Sequence, residues 1–473
     1  MRVLSLFLIT VLTISCNSSP CKSRNPELIN ELSVFADSIA TLISKYHYNQ
    51  NELEESAYLE ITNKVGQLVN DACSKDDFMD KFNTLWQNGP FSHVRLNKME
   101  RKANEIAHFI DSLVIGERGA FLEWDNNTAI LTVNTMTGVD TKERISEAYK
   151  AIDDKGANAL IVDLRNNTGG TFAGVPLVGH LLKDSVDAGV FVSKEWWKNN
   201  DEIPNINNIE NLNPWFGWSI RSFWKDVQEQ PLTRIKFEPF QPYFEGDVFV
   251  LISAKTASAA EFTADALGQL DNITLIGETT SGQMLSQKMY DLPFGYQIGI
   301  PIADYYSFKS GRIEGVGVKP DIEINPVVAI NLAKSLASGK SLEIAMEDIK
   351  VKLDKLNDQP LSGEVLFLMG SMNEWGKDQK RTPQFEYMGD GVYQVTMKIQ
   401  PGSHEFKIAP MSWKFDYGAN DDNETITINE MKELTRKSGS PNLEVQFQEK
   451  SIITITIYVN KNLEADLLLT LNS

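Results

Sequence analysis

One stretch of the sequence restricts the fold more than any other. Residues 248–252 form an unbroken apolar run, typical of a strand covered on both faces, and a helical pattern follows at once over about 258–270. Residues 274–276 predict another strand, and 159–164 predict a further strand of the same buried type. Strand, helix and strand in this order predict a layered α/β core.

Hydrophobic patterning divides the rest of the chain. Its 473 residues are enough for about three folded units. Apolar residues recur at helical spacing before position 86, and alternation typical of strands begins after Pro360. We therefore predict a multidomain protein with a signal peptide at 1–15, a tether at 16–25, an N-terminal helical domain at 26–102 that carries Ser92 and His93, an α/β core at 103–330, a helical connector at 331–360 and a β-sandwich at 361–473.

The N-terminus predicts export and a lipid anchor. Arg2 precedes an apolar run over 3–14, which is too short to span a bilayer but suits a signal peptide. The sequence Thr-Ile-Ser-Cys that ends at Cys16 resembles a bacterial lipobox, in which the cysteine receives the lipid. An ordinary cleaved signal with an incidental cysteine is the alternative. The first interpretation predicts a protein anchored in the bacterial cell envelope, facing the periplasm or the cell surface.

Only two further cysteines are present, Cys21 and Cys73, and two are too few for a framework of several disulfides. They could pair in an oxidising envelope, or either could be a free thiol. They suggest no metal site. The formal charge of -19 argues against nucleic acid as a partner, because a polyanion would gain nothing by releasing phosphate counterions.

The candidate nucleophile is Ser258, in Thr-Ala-Ser-Ala-Ala-Glu at 256–261. It follows a buried strand and precedes a helix, where free backbone N–H groups favour the negative charge of a tetrahedral intermediate. The same residues also fit a capping box, in which Ser258 and Glu261 stabilise the helix without any catalysis.

A glycine pair is the candidate oxyanion hole. The sequence Asp-Leu-Arg-Asn-Asn-Thr-Gly-Gly at 163–170 follows a predicted strand, and glycines let the backbone approach a ligand closely. The N–H of Gly169 or Gly170 could join that of Ala259 as the two donors. A tight turn after the strand is the plainer interpretation.

These two motifs, in this order, resemble those of the tail-specific (C-terminal processing) serine peptidases. The resemblance continues through Gly-Glu-Thr-Thr-Ser-Gly at 277–282 and Glu-Gly-Val-Gly-Val-Lys-Pro-Asp at 314–321, and it covers about 103–324. It implies a crotonase-like (ClpP-like) α/β core and a serine peptidase that needs no metal or organic cofactor. No glycine-rich PDZ-like stretch lies between His93 and the 163–170 motif, so no PDZ domain is expected.

The general base departs from the best-known branch of that family. Many relatives carry a lysine 25 residues after the nucleophile, whereas position 283 is glutamine, and Lys255 and Lys288 lack the family spacing. The histidine branch, which includes the tricorn core protease and interphotoreceptor retinoid-binding protein, takes its base from an earlier segment. Ser92 and His93 resemble that segment. The resemblance implies a relay of Glu314, Ser92, His93 and Ser258, in which an imidazole that titrates near neutrality exchanges protons with the serine.

Aromatic residues mark two further regions. Within the core, 190–245 contains a group of tryptophans that could form a lid or a substrate wall, or could simply pack an inserted subdomain: Trp196, Trp197, Trp215, Trp218 and Trp224. Residues 363–473 resemble the early-set (immunoglobulin-like) sandwich modules of pullulanases and glycogen-binding kinase subunits. There Trp375 and Trp413 fall at positions that can stack on α-glucan rings, although a sandwich can keep the fold and lose the sugar.

The sequence as a whole favours an envelope-anchored serine endopeptidase that acts on proteins or peptides through an acyl-enzyme. One alternative is a catalytically silent protein that binds a peptide or hydrophobic ligand on the same fold. Another is a lipoprotein whose main role is α-glucan capture.

Overall fold

The computed structural model describes residues 25–357, 359–361, 364–376, 382–422 and 424–472. The predictions for the signal peptide, Cys16 and Cys21 lie outside these residues. The chain separates into two compact units, Met1–Ile322 and Glu323–Ser473. Within the described ranges, no helix is both long and apolar enough to cross a bilayer.

Nine helices are described in the first unit. They are α1 (Pro26–Tyr46), α2 (Ser56–Asp71), α3 (Lys75–Trp86), α4 (Ala103–Asp111), α5 (Val139–Lys155), α6 (Val175–Gly179), α7 (Lys194–Trp197), α8 (Ile220–Glu229) and α9 (Ala259–Leu267). Short 3-10 turns lie at Asn51–Leu53, Ile206–Asn208 and Pro293–Gly295.

The strands of this unit form two six-stranded sheets. They are β1 (Arg95–Lys98), β2 (Ala120–Asp125), β3 (Thr128–Val133), β4 (Ala159–Asp163), β5 (Val186–Ser193), β6 (Leu232–Phe237), β7 (Asp247–Ile252), β8 (Ile273–Gly277), β9 (Leu285–Leu292), β10 (Tyr296–Ser307), β11 (Gly311–Arg312) and β12 (Ile322–Glu323).

The N-terminal helices form the predicted helical region. Asn25 and Ser74 cap α1 and α3 through side-chain oxygens that accept backbone N–H groups, which satisfies donors that the first helical turn leaves free. The apolar face of α1 buries Phe35 among residues of α2 and α3 and among residues of β10 such as Ile298. The helical region therefore shares one hydrophobic core with the strand that leads toward the site.

The first sheet confirms the predicted α/β layering. Strands β3, β4, β7 and β8 are parallel neighbours, and β2 is antiparallel to β3. The predicted strands at 159–164 and 248–252 are the buried neighbours β4 and β7. The predicted helix over 258–270 is α9, which begins directly after Ser258. The carboxyl ends of β4 and β7 meet at one edge, so the loops that follow them come together there.

The second sheet is antiparallel and is organised around β10. Every residue of β10 is buried. One side of β10 pairs with β9, and β1 and β5 pair with its first and last residues. The Ser92–His93 turn ends just before β1, so the pairing of β1 with β10 fixes where this turn lies.

The second unit begins with α10 (Pro326–Ala337) and α11 (Leu342–Asn357) and continues as a β-rich domain. Its strands are β13 (Phe367–Gly370), β14 (Glu386–Gly389), β15 (Val392–Ile399), β16 (Gly402–Ala409), β17 (Asp416–Gly418), β18 (Glu424–Thr425), β19 (Met431–Lys437), β20 (Leu443–Phe447), β21 (Ser451–Val459) and β22 (Ala465–Asn472). Neighbouring strands pair in the antiparallel direction, except that β18 and β20 are parallel. A 3-10 turn at Ser371–Gly376 follows β13. The isoleucines of β21, from Ile453 to Ile457, face the core, and the intervening Thr454 and Thr456 are buried as well, so this part of the strand is covered on both faces.

Candidate active site

Ser258 stands at the N-cap of α9, directly after the loop that leaves β7. Its backbone has φ 55° and ψ -124°, a combination that non-glycine residues adopt only when the surrounding structure holds them there. Its N–H donates to Glu261 Oε2 at 2.9 Å, which is the glutamate half of a capping box. The capping and nucleophile interpretations are compatible, because the cap holds the backbone while Ser258 Oγ lies 3.3 Å from His93 Nε2.

Glu261 does more than cap the helix. Its side chain is fully buried, and it also accepts hydrogen bonds from Thr280 Oγ1 and from the backbone N–H groups of Gly282 and Gln283. Burial raises the pKa of this carboxyl, and these donors lower it. Sequence reasoning assigned Glu261 only a capping role. The signal available was a glutamate flanked by Ala260 and Phe262 in an apolar helix, where a charged residue needs buried partners.

Ser92, His93 and Glu314 form a connected chain of hydrogen bonds. Glu314 Oε1 accepts the Ser92 N–H at 2.8 Å, and Glu314 Oε2 accepts the Ser92 hydroxyl at 3.0 Å. Ser92 Oγ lies 2.6 Å from His93 Nδ1. Because the Ser92 proton points to Glu314, Ser92 Oγ accepts from Nδ1–H, and Nε2 is left with a lone pair that faces Ser258. The structure thus brings all four predicted relay residues together in the order expected.

The relay carboxylate is buried and well supplied with donors. Glu314 is 6% exposed, and its Oε2 also accepts the Met284 N–H at 2.7 Å. Burial raises the pKa of Glu314, whereas the donors from Ser92 and Met284 and the nearby charge of Arg312 lower it. His93 has φ 63°, so its turn is held in a conformation that is uncommon for residues other than glycine.

The two glycines of the candidate oxyanion hole differ in their surroundings. Gly169 has φ +91°, and a Cβ there would lie 2.7 Å from Ser258 Cβ and 2.9 Å from Ala259 N. Its N–H already donates to Asn167 Oδ1 at 2.9 Å. Gly170 is exposed. Because the Gly169 N–H is taken up by Asn167, Gly170 is the better candidate to accompany Ala259, whose N–H has no intrahelical acceptor because Ala259 begins the helix.

Asn167 is a site residue that sequence reasoning missed. It is fully buried, its Nδ2 donates to Val133 O, and its backbone carbonyl accepts the Ala257 N–H at 3.0 Å. It therefore joins the glycine loop to the residue before the nucleophile. Its position between Leu164 and the glycine pair was visible in the sequence, but its contacts were not.

The two candidate lysines have other surroundings. Lys255 is exposed, and Lys288 Nζ donates to Gln228 Oε1 at 2.7 Å. Burial lowers the pKa of Lys288, but its ammonium group is engaged with that amide. Gln283, at the family position of the lysine, is exposed and is held through its backbone by Glu261. Within the described ranges, the recorded side-chain partner of Ser258 Oγ is His93.

The tryptophan-rich segment divides between core and pocket. Trp224 is 6% exposed and belongs to the core of the first unit. Trp215 and Trp218 line a cavity of about 170 Å³ together with Phe172, which follows the glycine pair, and Phe262, which lies on α9. Trp215 and Trp218 also pack against that core, so the structure supports the packing interpretation, and a role as a substrate wall stays a prediction. Among the described residues, no cluster of three or more His, Cys, Asp or Glu side chains could hold a metal ion.

The remaining predicted residues lie elsewhere. Trp375 and Trp413 are half-buried and pack on one small apolar cluster that contains Phe367 and Met369, and both have positive φ, at 58° and 52°. Cys73 is exposed and takes part in a disulfide.

Comparison with known proteins identifies two segments. Residues 127–324 match the model of peptidase family S41, and residues 360–443 match that of the pullulanase X25 domain. The Bacillus subtilis carboxy-terminal processing protease CtpA is 25% identical over 290 residues, which are 58% of this chain and 53% of that protein. A Synechocystis carboxyl-terminal-processing protease is 25% identical over 179 residues, which cover 38% and 34% of the two chains.

A chloroplastic carboxyl-terminal-processing peptidase of Arabidopsis thaliana is 27% identical over 179 residues, or 38% of this chain and 30% of that one. The chain thus spans between 30% and 53% of the length of these relatives. Among solved structures, a lipoprotein from Streptococcus agalactiae has a TM-score of 0.42 at 14% identity over 67% of this chain and 98% of that one. The predicted resemblance is confirmed: residues 127–324 match peptidase family S41, the relatives found are carboxyl-terminal processing proteases, and residues 360–443 match the pullulanase X25 domain.

Proposed function

We propose that the chain is a serine endopeptidase, anchored in the bacterial cell envelope, that hydrolyses proteins or peptides through an acyl-enzyme. The contact between His93 Nε2 and Ser258 Oγ, with Nδ1 held through Ser92 by Glu314, carries this proposal. A distance of 3.3 Å suits a resting enzyme, because such contacts shorten when substrate binds. The chemistry requires no metal or organic cofactor.

In the acylation step, Ser258 Oγ attacks the carbonyl carbon of the scissile peptide while its proton passes to His93 Nε2. The carbonyl oxygen becomes an oxyanion, which the N–H groups of Gly170 and Ala259 stabilise at the start of α9. The resulting imidazolium is stabilised through Ser92 by the charge of Glu314. When the intermediate collapses, the C–N bond breaks and His93 returns the proton to the leaving amine.

In the deacylation step, water takes the place of the amine. His93 removes a proton from the water as its oxygen attacks the ester carbon, and the second tetrahedral intermediate forms. The C–O bond to Ser258 then breaks, the proton returns to Ser258 Oγ, and the acyl product leaves as a carboxylic acid. The unusual backbone conformation of Ser258 accompanies the position of its Oγ within 3.3 Å of His93 Nε2, the group that exchanges the proton in both steps.

Labelling with a fluorophosphonate probe tests the activity directly. We expect the phosphonyl group to attach to Ser258 and the protein to cleave peptides, and we expect Ser258→Ala to lose both properties. Ser112→Ala is the matched control for removal of a serine hydroxyl, because the exposed Ser112 Oγ donates only to the backbone carbonyl of Phe109 on α4. An unlabelled wild-type protein with no Ser258-dependent hydrolysis would favour the catalytically silent alternative.

The proposal includes the finer description of the fold. Residues 103–330 are proposed to form a crotonase-like core that follows a helical domain at 26–102. Residues 361–473 are proposed to form an immunoglobulin-like sandwich after a connector at 331–360. The parallel order of β3, β4, β7 and β8 supports the first description, and the antiparallel pairing of β15, β21 and β22 supports the second.

The membrane anchor is proposed to be a lipid on Cys16. A lipidated Cys16 could not also pair in a disulfide, so Cys21 would be the partner of Cys73. Cys16→Ser should move the protein from the membrane fraction to the soluble fraction, whereas the control Cys21→Ser should leave it in the membrane and free the Cys73 thiol for alkylation. Retention of the Cys16→Ser protein in the membrane would contradict the anchor.

We also propose weak α-glucan binding by the X25 domain. Trp375 and Trp413 pack on one apolar cluster and are both partly exposed, and flat indole faces beside polar turns suit sugar rings. Glycogen in a native gel should retard the full chain, and Trp375→Ala or Trp413→Ala should reduce the retardation. Trp124→Ala, a half-buried tryptophan of β2, is the control. Unchanged migration of the wild type in glycogen would remove this role.

A further inference from the structure

A second polar cluster lies behind the relay in the first unit, and Arg312 is its centre. Arg312 ends β11, which pairs with β10, and stands two residues before Glu314. Its Nε donates to Asp304 Oδ2 at 2.7 Å, and its Nη2 donates to Glu52 Oε1 at 2.7 Å and to Tyr48 Oη at 2.8 Å. The Tyr48 hydroxyl in turn donates to Glu52. Arg312 therefore joins β10 to the segment between α1 and α2.

The cluster is acidic around one cation. Asp304 is fully buried, the Glu52 side chain is 15% exposed, and Glu314 is 6% exposed. Burial raises the pKa of Asp304 to about 7, although Arg312 acts in the opposite direction and Glu314 and Glu52 add to the rise. Tyr306 of β10 also faces Asp304 and Arg312. Arg312 supplies a counter-charge to this buried group of carboxylates through its ion pairs with Asp304 and Glu52.

The same segment reaches the relay from its other end. The His47 ring packs on the Phe91 ring with centroids 4.3 Å apart, and Phe91 immediately precedes Ser92. Burial lowers the pKa of His47 to about 3, with the charges of Lys194 and Arg312 acting in the same direction, so His47 is a neutral packing group. The Tyr48 N–H donates to Pro301 O on β10 at 3.2 Å. The segment thus contacts both β10 and the start of the relay turn.

The relay turn needs support of this kind. His93 has φ 63°, and a residue other than glycine stays in such a conformation only where its surroundings hold it. Glu314 holds the turn through the N–H and hydroxyl of Ser92, while Phe91 anchors its beginning among aromatic rings that include Tyr58 and Trp86. Arg312 lies between these two supports, since it sits beside Glu314 in sequence and binds the segment that packs on Phe91.

We propose that Arg312 is a positioning residue of the relay: it ties the segment around Tyr48 and Glu52 to the strand that leads into Glu314, and so fixes the turn that carries Ser92 and His93. The proposal rests on the peptidase function proposed above. Arg312 touches no reacting atom. Its role is to keep Glu314 charged and in place, so that Ser92 Oγ continues to accept from His93 Nδ1–H.

Loss of the Arg312 side chain should lower kcat, and it should also change how kcat falls as the pH is lowered, which is the acidic limb of the pH profile. The guanidinium favours the ionised form of Glu314, so its removal raises the pKa of that carboxyl further. A protonated Glu314 cannot accept both Ser92 donors. Activity should therefore be lost at a higher pH in an Arg312 variant than in the wild type, while substrate binding, which does not involve Arg312, stays similar.

Arg312→Met in the full chain tests this. We expect kcat to fall about 10- to 100-fold with little change in KM, and the acidic limb to move to higher pH. Arg234→Met is the matched control, because Arg234 makes two hydrogen bonds to the carboxylate of Asp187 and its side chain is partly buried, at 15% exposed against 35% for Arg312. If Arg312→Met has wild-type kcat and a wild-type acidic limb, the positioning role is wrong.

Milder variants decide the matter if Arg312→Met does not fold. Tyr48→Phe removes the hydroxyl that bridges Arg312 and Glu52 but keeps the aromatic ring. Arg312→Lys keeps the positive charge but loses the planar guanidinium group, which can donate to several acceptors at once. Both should move kcat and the acidic limb in the same direction by a smaller amount. Unchanged values in both folded variants would also overturn the proposal.

A readout without turnover separates this proposal from the peptidase function. Nitrogen chemical shifts of His93 report which ring nitrogen carries the proton, and the wild type should show the Nδ1–H form, with a mixture in Arg312→Met. A protein that shows this change but no Ser258-dependent hydrolysis would refute the peptidase and keep the positioning role. Hydrolysis by the wild type with no change in tautomer or kcat in the variant would refute the positioning role alone.

Discussion

Two buried glutamates hold the two halves of the candidate site, and the structure builds their surroundings differently. Glu261 holds the nucleophile half and takes its donors from a continuous stretch of chain that runs from Ser258 to Gln283. Glu314 holds the base half, and two of its three recorded donors come from Ser92, 222 residues earlier. The hydrogen bonds of Glu261 thus join residues at most 22 positions apart, whereas those of Glu314 join residues up to 222 positions apart.

The two halves meet through one short loop. Gln283 and Met284 are neighbours, and their N–H groups donate to Glu261 and Glu314 respectively. A displacement of either carboxylate would therefore shift this loop and disturb the hydrogen bond that the loop donates to the other carboxylate. Burial raises the pKa of both carboxyls, and backbone donors counteract the rise in both. The difference lies in what each holds: Glu261 fixes backbone, and Glu314 fixes a proton relay.

The largest loss of activity is expected from removal of Ser258 or His93, whose side chains make the contact between the nucleophile half and the base half. Ser258→Ala and His93→Ala should each lower kcat/KM by about 10⁴-fold or more, and the double variant should lose little more, because members of one relay are not additive. Lys288→Ala and Lys255→Ala are the controls and should keep most activity. Near-normal peptide hydrolysis by His93→Ala, with activity lost in a lysine variant, would move the base to a Ser/Lys mechanism.

The nucleophile half can be disturbed alone at Gly169. A Cβ at this position would lie 2.6 Å from Ala257 O and 2.7 Å from Ser258 Cβ, so Gly169→Ala should displace the nucleophile and lower kcat by about 100-fold. Gly156→Ala is the matched control, because Gly156 also has positive φ but no heavy atom within 4 Å of the added Cβ. Equal kinetics for the two variants, measured on peptide hydrolysis, would show that the glycine loop does not position Ser258.

Exchanging each glutamate for glutamine should separate the halves. Glu314→Gln should lower kcat by about 10- to 100-fold, because an amide is a weaker partner for the Ser92 donors and a neutral one for the imidazolium. Glu261→Gln should act mainly on stability, at about 1–3 kcal/mol, because an amide NH₂ group would face buried donors. Thermal unfolding and kcat measured on both variants test this. The reverse pattern would contradict the division of roles.

The smallest expected effect is a pH dependence of stability on the nucleophile side. The folded-state pKa of Glu261 is raised above the ordinary value of 4.5. Its contribution to stability is therefore fully present below pH 4.5 and is lost as the pH rises through the folded-state pKa. Melting temperatures recorded from acidic to neutral pH should show this slope in the wild type and a flatter one in Glu261→Gln. Parallel curves would mean that Glu261 titrates normally.

Patterns that depend on neighbouring residues were predicted well. The apolar runs that became β4 and β7 and the helix that became α9 were visible as hydrophobic periodicity, and the β-rich end of the chain as alternation. The sequence also predicted where Ser258 lies, at the end of a strand and the start of a helix. The contacts beyond that reach include the bond from the Ala257 N–H to Asn167 O and the three donors that Glu261 takes from Thr280, Gly282 and Gln283.

The sequence by itself determined the strand, turn and helix that carry Ser258, because these are set by residues a few positions apart, but it did not show the contacts of this segment with Asn167 and Gly169. The resemblance of Ser92, His93 and Glu314 to a known branch suggested the base but gave no distance to Ser258. Only the tertiary structure brings residues 165 positions apart within 3.3 Å. That approach depends on the pairing of β1 with β10 and on side chains packed behind the turn, and no local pattern in the chain encodes such contacts.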